Sequence, residues 1–371
     1  MTVPPGDGDR QKSLLVIGGS GRSGTSLLAG LAHRLGYHIP QPELNANETN
    51  PRGFGEPRWA VAFHKELLQS VDVTHDDGRP QAWVDTARVK DRKAARDQLT
   101  AWLGEQFGIS HKVVVKDPRL AWFVGLYSDV AEELSADFGV VTMLRHPAES
   151  VRSKELAYGS KVDTNTRMAG WLNMMLHVEE RTRGSARALV RYEDLLTRWK
   201  PTLAATEKVL PMDLVAGRSE EELAAADALV DPQLRRTERS WDGFDVPESL
   251  CELAERAYAA LEASAINVDG QAGIDSAADL DELRAAYVAL YGQAEMMVRS
   301  SLNAARAKER RKVLKQVKTE RRKARATNDE PPRPPEPTTS GGGADRPAGR
   351  TPRQVAAGLK SRTTRLLSRR P

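Results

Sequence analysis

A glycine-rich loop at residues 18–26 separates the apolar run at residues 14–17 from a stretch with leucines at helical spacing. This order predicts a buried strand that turns through the loop into a helix. Such a turn aims several free backbone N–H groups and the positive end of the helix dipole at one point. The sequence therefore predicts an anion-binding site at the start of this helix, with an ordinary tight turn as the simpler alternative.

The loop nearly fits the GxxxxGK[ST] pattern of nucleotide triphosphatases, because Gly19, Gly24 and Ser26 fall in register. Thr25 stands where that pattern has the lysine that reaches the β- and γ-phosphates, and the nearest cation is Arg22. The loop is therefore suited to holding a phosphate but poorly equipped for ordinary ATP chemistry.

Three more apolar runs predict strands, at residues 113–115, 138–144 and 188–192, and each is followed by charged or polar residues. Helical patterns alternate with them, which is typical of βαβ units and of an α/β fold whose central parallel sheet is flanked by helices. Ligands of such sheets bind at the carboxyl ends of the strands. Other elements are expected at these positions: helices at about 59–70, 85–107, 248–263 and 280–325, and a long loop at 37–57.

The formal net charge of +4 is unevenly distributed along the chain. Residues from Ala304 onward carry 20 Lys and Arg against 6 Asp and Glu, so the rest of the chain has a net charge of −10. We expect a disordered N-terminus at 1–12, one α/β domain at 13–300 with a helical part at 247–300, and a basic helix at 301–326. A disordered basic tail at 327–371, with a short amphipathic helix, completes the predicted organisation.

The basic tail has two interpretations: a solvated helix face, or a surface that is attracted to an anionic membrane or another polyanion. No aromatic residue follows position 303, which argues against base stacking with nucleic acid. The chain has no apolar run of transmembrane length and no signal-peptide core near its start, so we expect a cytoplasmic protein. The tail is then the candidate contact with the inner face of the membrane.

A second anion-binding element is predicted where the strand at 138–144 ends. Arg145 follows that strand, Pro147 suits the first turn of a helix, and Ser150 and Ser153 lie one turn apart on one helical face. Arg145 and Ser153 could therefore bind one phosphate together, although a solvated pair is the alternative. The single cysteine, Cys251, and the scattered histidines predict no metal site.

Together these segments resemble the sulfotransferases that use 3′-phosphoadenosine 5′-phosphosulfate. The resemblance rests on four segments spread between about residues 13 and 245: GRSGTSLL at 21–28, NPRGFGE at 50–56, RHPAESVRS at 145–153 and RYEDL at 191–195. It implies the sulfotransferase version of the P-loop fold, a metal-free transfer of a sulfuryl group, and a hydroxyl of a carbohydrate, glycolipid or small metabolite as acceptor. It places the donor on these residues: Gly21, Arg22, Ser23, Gly24, Thr25, Ser26, Arg145 and Ser153.

The resemblance also implies catalytic roles. Arg22 and the loop N–H groups are expected to stabilise charge on the leaving phosphate, and Lys116 to contact the sulfate or the leaving oxygen. The base is predicted to be Glu56, with Glu43 and Glu48 still open and helix capping as the alternative role of Glu56. Other charged residues have these assignments: Arg119 binds an anionic acceptor or pairs with Asp117; Glu193 and Asp194 orient nearby arginines or cap a helix; and Arg235, Arg236 and Arg239, before Trp241, belong to a donor-covering loop.

Two other functions remain compatible with these patterns. A P-loop kinase or another nucleotide-binding protein would use the same loop and the same parallel sheet. A non-catalytic scaffold that kept the fold is the third reading. The missing lysine after Gly24 and the Arg145 and Ser153 pair favour the sulfotransferase.

Overall fold

The computed structural model describes residues 11–50, 52–89, 91–235, 237–268 and 273–328. Within these ranges four strands form one parallel sheet in the order β2-β1-β3-β4. This confirms the predicted α/β fold with a central parallel sheet. The strands are β1 (Lys12–Gly18), β2 (Lys112–Lys116), β3 (Ala136–Leu144) and β4 (Arg187–Arg191).

Helices flank this sheet. The first nine in chain order are α1 (Thr25–Arg34), α2 (Arg58–Ser70), α3 (Gln81–Ala87), α4 (Arg92–Ile109), α5 (Val124–Glu133), α6 (Pro147–Tyr158), α7 (Thr164–Thr182), α8 (Tyr192–Glu207) and α9 (Glu220–Asp227). Two more follow them, α10 (Glu248–Ala263) and α11 (Ala277–Asn328).

The two faces of the sheet bury alternate residues of the central strand. Leu14 and Val16 of β1 pack into a cluster with residues of α2, α4 and α5. Leu15 and Ile17 point to the other face, where they pack with residues of α1 and α8. Successive side chains of a strand point to opposite faces, so a continuous apolar run is what a strand covered on both sides requires.

One predicted helix is wrong in its extent. The stretch at 85–107 forms two helices, α3 and α4, rather than one. Asp91 interrupts it, because its backbone takes a left-handed conformation (φ 56°) and its side chain accepts a hydrogen bond from the backbone N–H of Ala94. Asp91 is thus the N-cap of α4, a role for which a short carboxylate is well suited.

The chain divides into two units after Ser300. In the first unit the start of α11 contributes Leu283 and Tyr287 to a buried cluster with residues of α7 and α10. In the second unit every side chain from 301 to 321 is exposed, on the stretch that was predicted to be a basic helix. Residues 1–10 and 329–371, which include most of both predicted disordered ends, lie outside the described residues. Among the described helices, none is long and apolar enough to cross a membrane.

Candidate functional site

The glycine-rich loop connects β1 to α1 at the carboxyl edge of the sheet. Gly19 and Gly24 both have positive φ (111° and 91°), and a Cβ on Gly24 would overlap a ring carbon of Tyr192. Neither position therefore tolerates a side chain. Gly24 is the N-cap of α1 and offers no side chain to cap it, so the first N–H groups of the helix are free for a ligand.

The two predicted anion-binding elements are in direct contact. Arg22 Nε donates to Ser153 Oγ at 3.2 Å, and a terminal nitrogen of Arg22 donates to the carbonyl of Thr49, also at 3.2 Å. Arg145 donates in turn to the carbonyl oxygen of Arg22 at 2.9 Å. The structure therefore brings the loop and the start of α6 together, although more than 120 residues separate them in the chain.

Arg145 is almost fully buried at this junction. Its guanidinium lies over the ring of Tyr192, 4.5 Å from the centroid, and donates to Thr237 Oγ1 at 2.7 Å. Burial lowers the pKa of Arg145, while Tyr192 and Glu149 oppose that shift. Among the described residues its Nε has no hydrogen-bond partner, and Glu149 at 3.8 Å is too distant. A buried donor without a partner fits a site for an anionic ligand.

Lys116 and Glu56 form a buried ion pair at the end of β2. Lys116 Nζ lies 2.5 Å from Glu56 Oε1 and 3.3 Å from Ser26 Oγ, so one ammonium joins the carboxylate to the start of α1. Glu56 does not cap α2, since the N-cap is Pro57 and no side chain accepts a capping bond there. The capping alternative for Glu56 is therefore not what the structure shows.

These groups line one cavity of about 560 Å³. Ser23 is not part of the lining, because its side chain is buried beneath the loop without a hydrogen-bond partner among the described residues. The other predicted donor and catalytic residues all line the cavity: Gly21, Arg22, Gly24, Thr25, Ser26, Glu56, Lys116, Arg145 and Ser153.

The three candidate bases occupy different places. Glu56 is buried in the wall of the cavity, and Glu48 is exposed but also lines it. Glu43 is not among the lining residues, and its carboxylate accepts a hydrogen bond from the side chain of Gln41 at 2.7 Å. The geometry thus favours Glu56 as the candidate base and places Glu48 second, whereas Glu43 lies outside the cavity.

Asp117, next to Lys116, belongs to a separate network in the core. Its Oδ2 accepts from His64 Nδ1 at 2.7 Å, and the other ring nitrogen, Nε2, forms a hydrogen bond of 2.9 Å with the hydroxyl of Tyr127. Its Oδ1 pairs with Arg119 at 2.8 Å, as the ion-pair alternative for Arg119 predicts. Burial alone would raise the pKa of Asp117, but His64 and Arg119 outweigh it and lower the pKa to about 2.

Lys154 packs beside the glycine-rich loop at Gly21. Its side chain is 1% exposed, its Cε lies 3.8 Å from where a Cβ of Gly21 would stand, and its ammonium pairs with Asp76 at 2.6 Å. Burial opposes ionisation of Asp76, yet Lys154 and His75 together lower the pKa of that carboxyl to about 2. The pair fills the space under Gly21 with a compensated charge.

The predicted donor-covering arginines are engaged with carboxylates. Arg235 pairs with Glu149 and Glu193, each at 3.0 Å, and Arg239 pairs with Glu193 at 3.1 Å. Asp194 pairs with Arg191 at 2.6 Å and with Arg198 at 2.9 Å. Glu193 and Asp194 therefore orient arginines, as expected, whereas Arg235 and Arg239 do not line the cavity. Arg236 lies outside the described residues.

Sequence reasoning missed three neighbours of the site. Tyr192 stacks on Arg145, Thr237 accepts from it, and Thr49 accepts from Arg22. The position of Tyr192 directly after β4, beside the other strand ends, is the sequence signal that identifies it. Within the described ranges, no group of three or more His, Cys, Asp or Glu side chains could hold a metal ion.

No protein-family model matches the chain, and no curated protein matches it in sequence. Among solved structures, the chain is similar to the sulfotransferase domain from the Synechococcus PCC 7002 olefin synthase, at 20% identity. The match covers 69% of this chain and 98% of that domain, with a TM-score of 0.39. A likeness at this level does not establish a function, so the assignment depends on the residues around the cavity.

Proposed function

We propose that this protein is a sulfotransferase that moves a sulfuryl group from 3′-phosphoadenosine 5′-phosphosulfate to a hydroxyl of a carbohydrate, glycolipid or small metabolite. The observation that carries the proposal is the joining of two anion-binding elements on one cavity through Arg22, Ser153 and Arg145. A donor with phosphates at two separate positions requires two such elements. The buried pair of Glu56 and Lys116 lies in the wall of the same cavity.

The residues present fit such a donor. The free N–H groups at the start of α1 and the guanidinium of Arg22 suit the 5′-phosphosulfate. Arg145, with its unpartnered Nε, and Ser153 suit the 3′-phosphate. Gly24 takes a positive φ and lets the ring of Tyr192, which stacks on Arg145, pack directly against the loop backbone. Thr25 stands where a triphosphatase has its lysine, which supports a donor other than ATP.

The donor supplies an activated sulfuryl group, whose sulfur bonds to the acceptor oxygen as its bond to the bridging phosphate oxygen breaks. Lys116, Arg22 and the start of α1 stabilise the negative charge that develops on the leaving oxygen. Glu56 takes the proton of the acceptor hydroxyl. Because Lys116 contacts Oε1, we assign the proton to Oε2.

Calorimetry tests the donor assignment. Adenosine 3′,5′-bisphosphate should bind without Mg²⁺, and at least about 10-fold more tightly than ATP does with Mg²⁺. Arg145→Ala should weaken this bisphosphate at least about 10-fold while AMP, which lacks the 3′-phosphate, keeps its affinity, because a charged hydrogen bond contributes about 1.5–3 kcal/mol. Tighter binding of ATP with Mg²⁺, together with transfer of its γ-phosphate, would identify a kinase instead.

Incubation with a ³⁵S-labelled donor and a fractionated cell extract tests the transfer itself. Label in an acceptor fraction is the expected result, and it should disappear in Glu56→Gln. Binding of the bisphosphate without any labelled product would point to the non-catalytic scaffold.

A further inference from the structure

The last turn of α6 presents exposed apolar side chains to the cavity. Leu156 is 70% exposed and Tyr158 is 49% exposed, and both line the cavity together with Ala157. We call Leu156 and Tyr158 the apolar rim. Large apolar side chains that stay in water beside a polar cavity are typical of a ligand-contact surface.

The apolar rim adjoins the catalytic end of the cavity. Tyr158 lines the same cavity as Arg22 and Glu56, and burial raises the pKa of its hydroxyl. Ser153, which accepts from Arg22, lies one turn earlier on the same helix. A molecule resting on the apolar rim is therefore close to Glu56.

The charges around the cavity leave no cation for an anionic acceptor. Arg52 pairs with Asp231 at 3.3 Å and donates to the carbonyl of Leu229. Lys116 pairs with Glu56. Within the described residues, these cationic side chains line the cavity: Arg22, Arg52, Lys116 and Arg145.

Arg22 and Arg145 are already assigned to the two phosphates of the donor. Glu48, exposed at the same cavity, adds a negative charge that repels a carboxylate or a sulfate. Within the described residues, an acceptor that carries its own negative charge would meet the exposed carboxylate of Glu48, and each cation that lines the cavity either has a carboxylate partner or is assigned to the donor.

We propose that the acceptor is a neutral hydroxyl compound with an apolar body that packs on Leu156 and Tyr158 while its hydroxyl reaches Glu56. This rests on the proposed sulfotransferase function and narrows its acceptor class. The products are the neutral compound's sulfate ester, adenosine 3′,5′-bisphosphate and one proton, which Glu56 receives. The charge of Glu48 at this cavity disfavours a polyanionic carbohydrate as acceptor.

Three matched sugar derivatives separate the effect of an apolar chain from the effect of a negative charge. They are octyl β-glucoside, methyl β-glucoside and octyl β-glucuronide, each used below its critical micelle concentration. With a ³⁵S-labelled donor, kcat/KM for octyl β-glucoside should exceed that for either of the other two at least about 10-fold. Binding of each compound to the full chain loaded with adenosine 3′,5′-bisphosphate should show the same order. This second readout does not depend on turnover.

The double variant Leu156→Ser/Tyr158→Ser identifies the contact. It should lower binding and kcat/KM for octyl β-glucoside to the level of methyl β-glucoside, because the apolar surface that receives the chain is gone. Methyl β-glucoside and the bisphosphate should keep their affinities. Ile109→Ser is the matched control, since Ile109 is 66% exposed at the end of α4 and does not line the cavity.

Equal binding of octyl and methyl β-glucoside to the loaded protein, or a preference for the glucuronide, would overturn the inference. So would a double variant that binds octyl β-glucoside like the unmodified chain. Failure of the proposed function is recognised separately, because the bisphosphate would then not bind, or it would bind while no fraction of the cell extract takes up label.

Discussion

Lys116 and Asp117 are neighbours in the chain, but they serve opposite environments. Lys116 lies in the wall of the cavity and pairs with Glu56, whereas Asp117 is fully buried among His64, Tyr127 and Arg119. The same strand end thus supplies one charge to the ligand side and one to the core. Adjacent charges in a sequence say little about which of them does chemistry.

The difference lies in how completely each charge is satisfied. Both oxygens of Asp117 are occupied, by His64 and by Arg119, and nothing in that network borders the cavity. Lys116 and Glu56 both line the cavity, so water or a ligand can replace either partner. A closed buried network stabilises the fold, while an open pair can exchange its contacts.

The largest effect is expected at the open pair. Glu56→Gln should lower kcat for sulfuryl transfer about 10³-fold, because the amide cannot take the acceptor's proton. The affinity for adenosine 3′,5′-bisphosphate should remain within about 3-fold. Kinetics with a labelled donor and calorimetry measure the two quantities.

Glu43→Gln is the matched control for that variant, since Glu43 lies away from the cavity. Its turnover should be unchanged. A collapse of turnover in Glu43→Gln, with Glu56→Gln still active, would transfer the role of base to Glu43.

At the closed network the expected effect is on folding. Asp117→Ala should reduce the free energy of unfolding by about 3 kcal/mol or more, because His64 and Arg119 lose a buried partner. Lys116→Gln should cost less than this, because both groups line the cavity and the amide can still donate a hydrogen bond to Glu56. Urea denaturation compares the two, and equal losses would remove the distinction between the open and closed sites.

The next largest effect is expected from acid, which should lower folding stability through Asp117 and its network. The pKa of Asp117 is lowered from 3.8 to about 2 in the folded chain, so its contribution to stability is full above pH 4 and is lost as the pH falls toward 2. That loss amounts to about 2 kcal/mol. Asp117→Asn should flatten this part of the stability curve, measured by thermal unfolding at each pH.

Asp76, whose pKa is also about 2, contributes in the same pH window, so Asp76→Asn is the matched comparison. Each single variant should remove part of the acid sensitivity. An unaltered curve in Asp117→Asn would mean that its network does not hold the carboxylate ionised.

The smallest effect is expected from a single cavity contact. Ser153→Ala removes the 3.2 Å hydrogen bond from Arg22 Nε and should weaken adenosine 3′,5′-bisphosphate binding about 3- to 10-fold, with folding stability unchanged. Calorimetry and thermal unfolding measure the pair of values. A large loss of stability instead would class Ser153 with Asp117 rather than with Lys116.

The fold was largely predictable because its signals are local. Apolar runs located the strands, and the glycine pattern located the loop that starts α1. The break between α3 and α4 was missed because its cause is one residue, Asp91, in a left-handed conformation that helical periodicity does not reveal. An aspartate three positions before Ala94 was the available capping signal.

Most of the residues that line the cavity beside the loop were predictable from the sequence, but their pairings were not. Lys116 and Glu56 were each predicted to act, yet their ion pair joins residues 60 positions apart. Thr237 reaches Arg145 across 92 positions. Such contacts depend on how α6, the loop after α9 and the sheet edge pack together, and no spacing within the chain records that packing.

Helix α6 fixes the spacing between two parts of the cavity lining. Ser153, the proposed donor contact, and Tyr158 of the apolar rim are five residues apart, a rise of about 7.5 Å along the axis. A helix turns by about 100° per residue, so one residue inserted between them would rotate the rim away from the cavity while leaving Ser153 in place. The pitch of α6 therefore sets the distance between the proposed donor contact and the proposed acceptor surface.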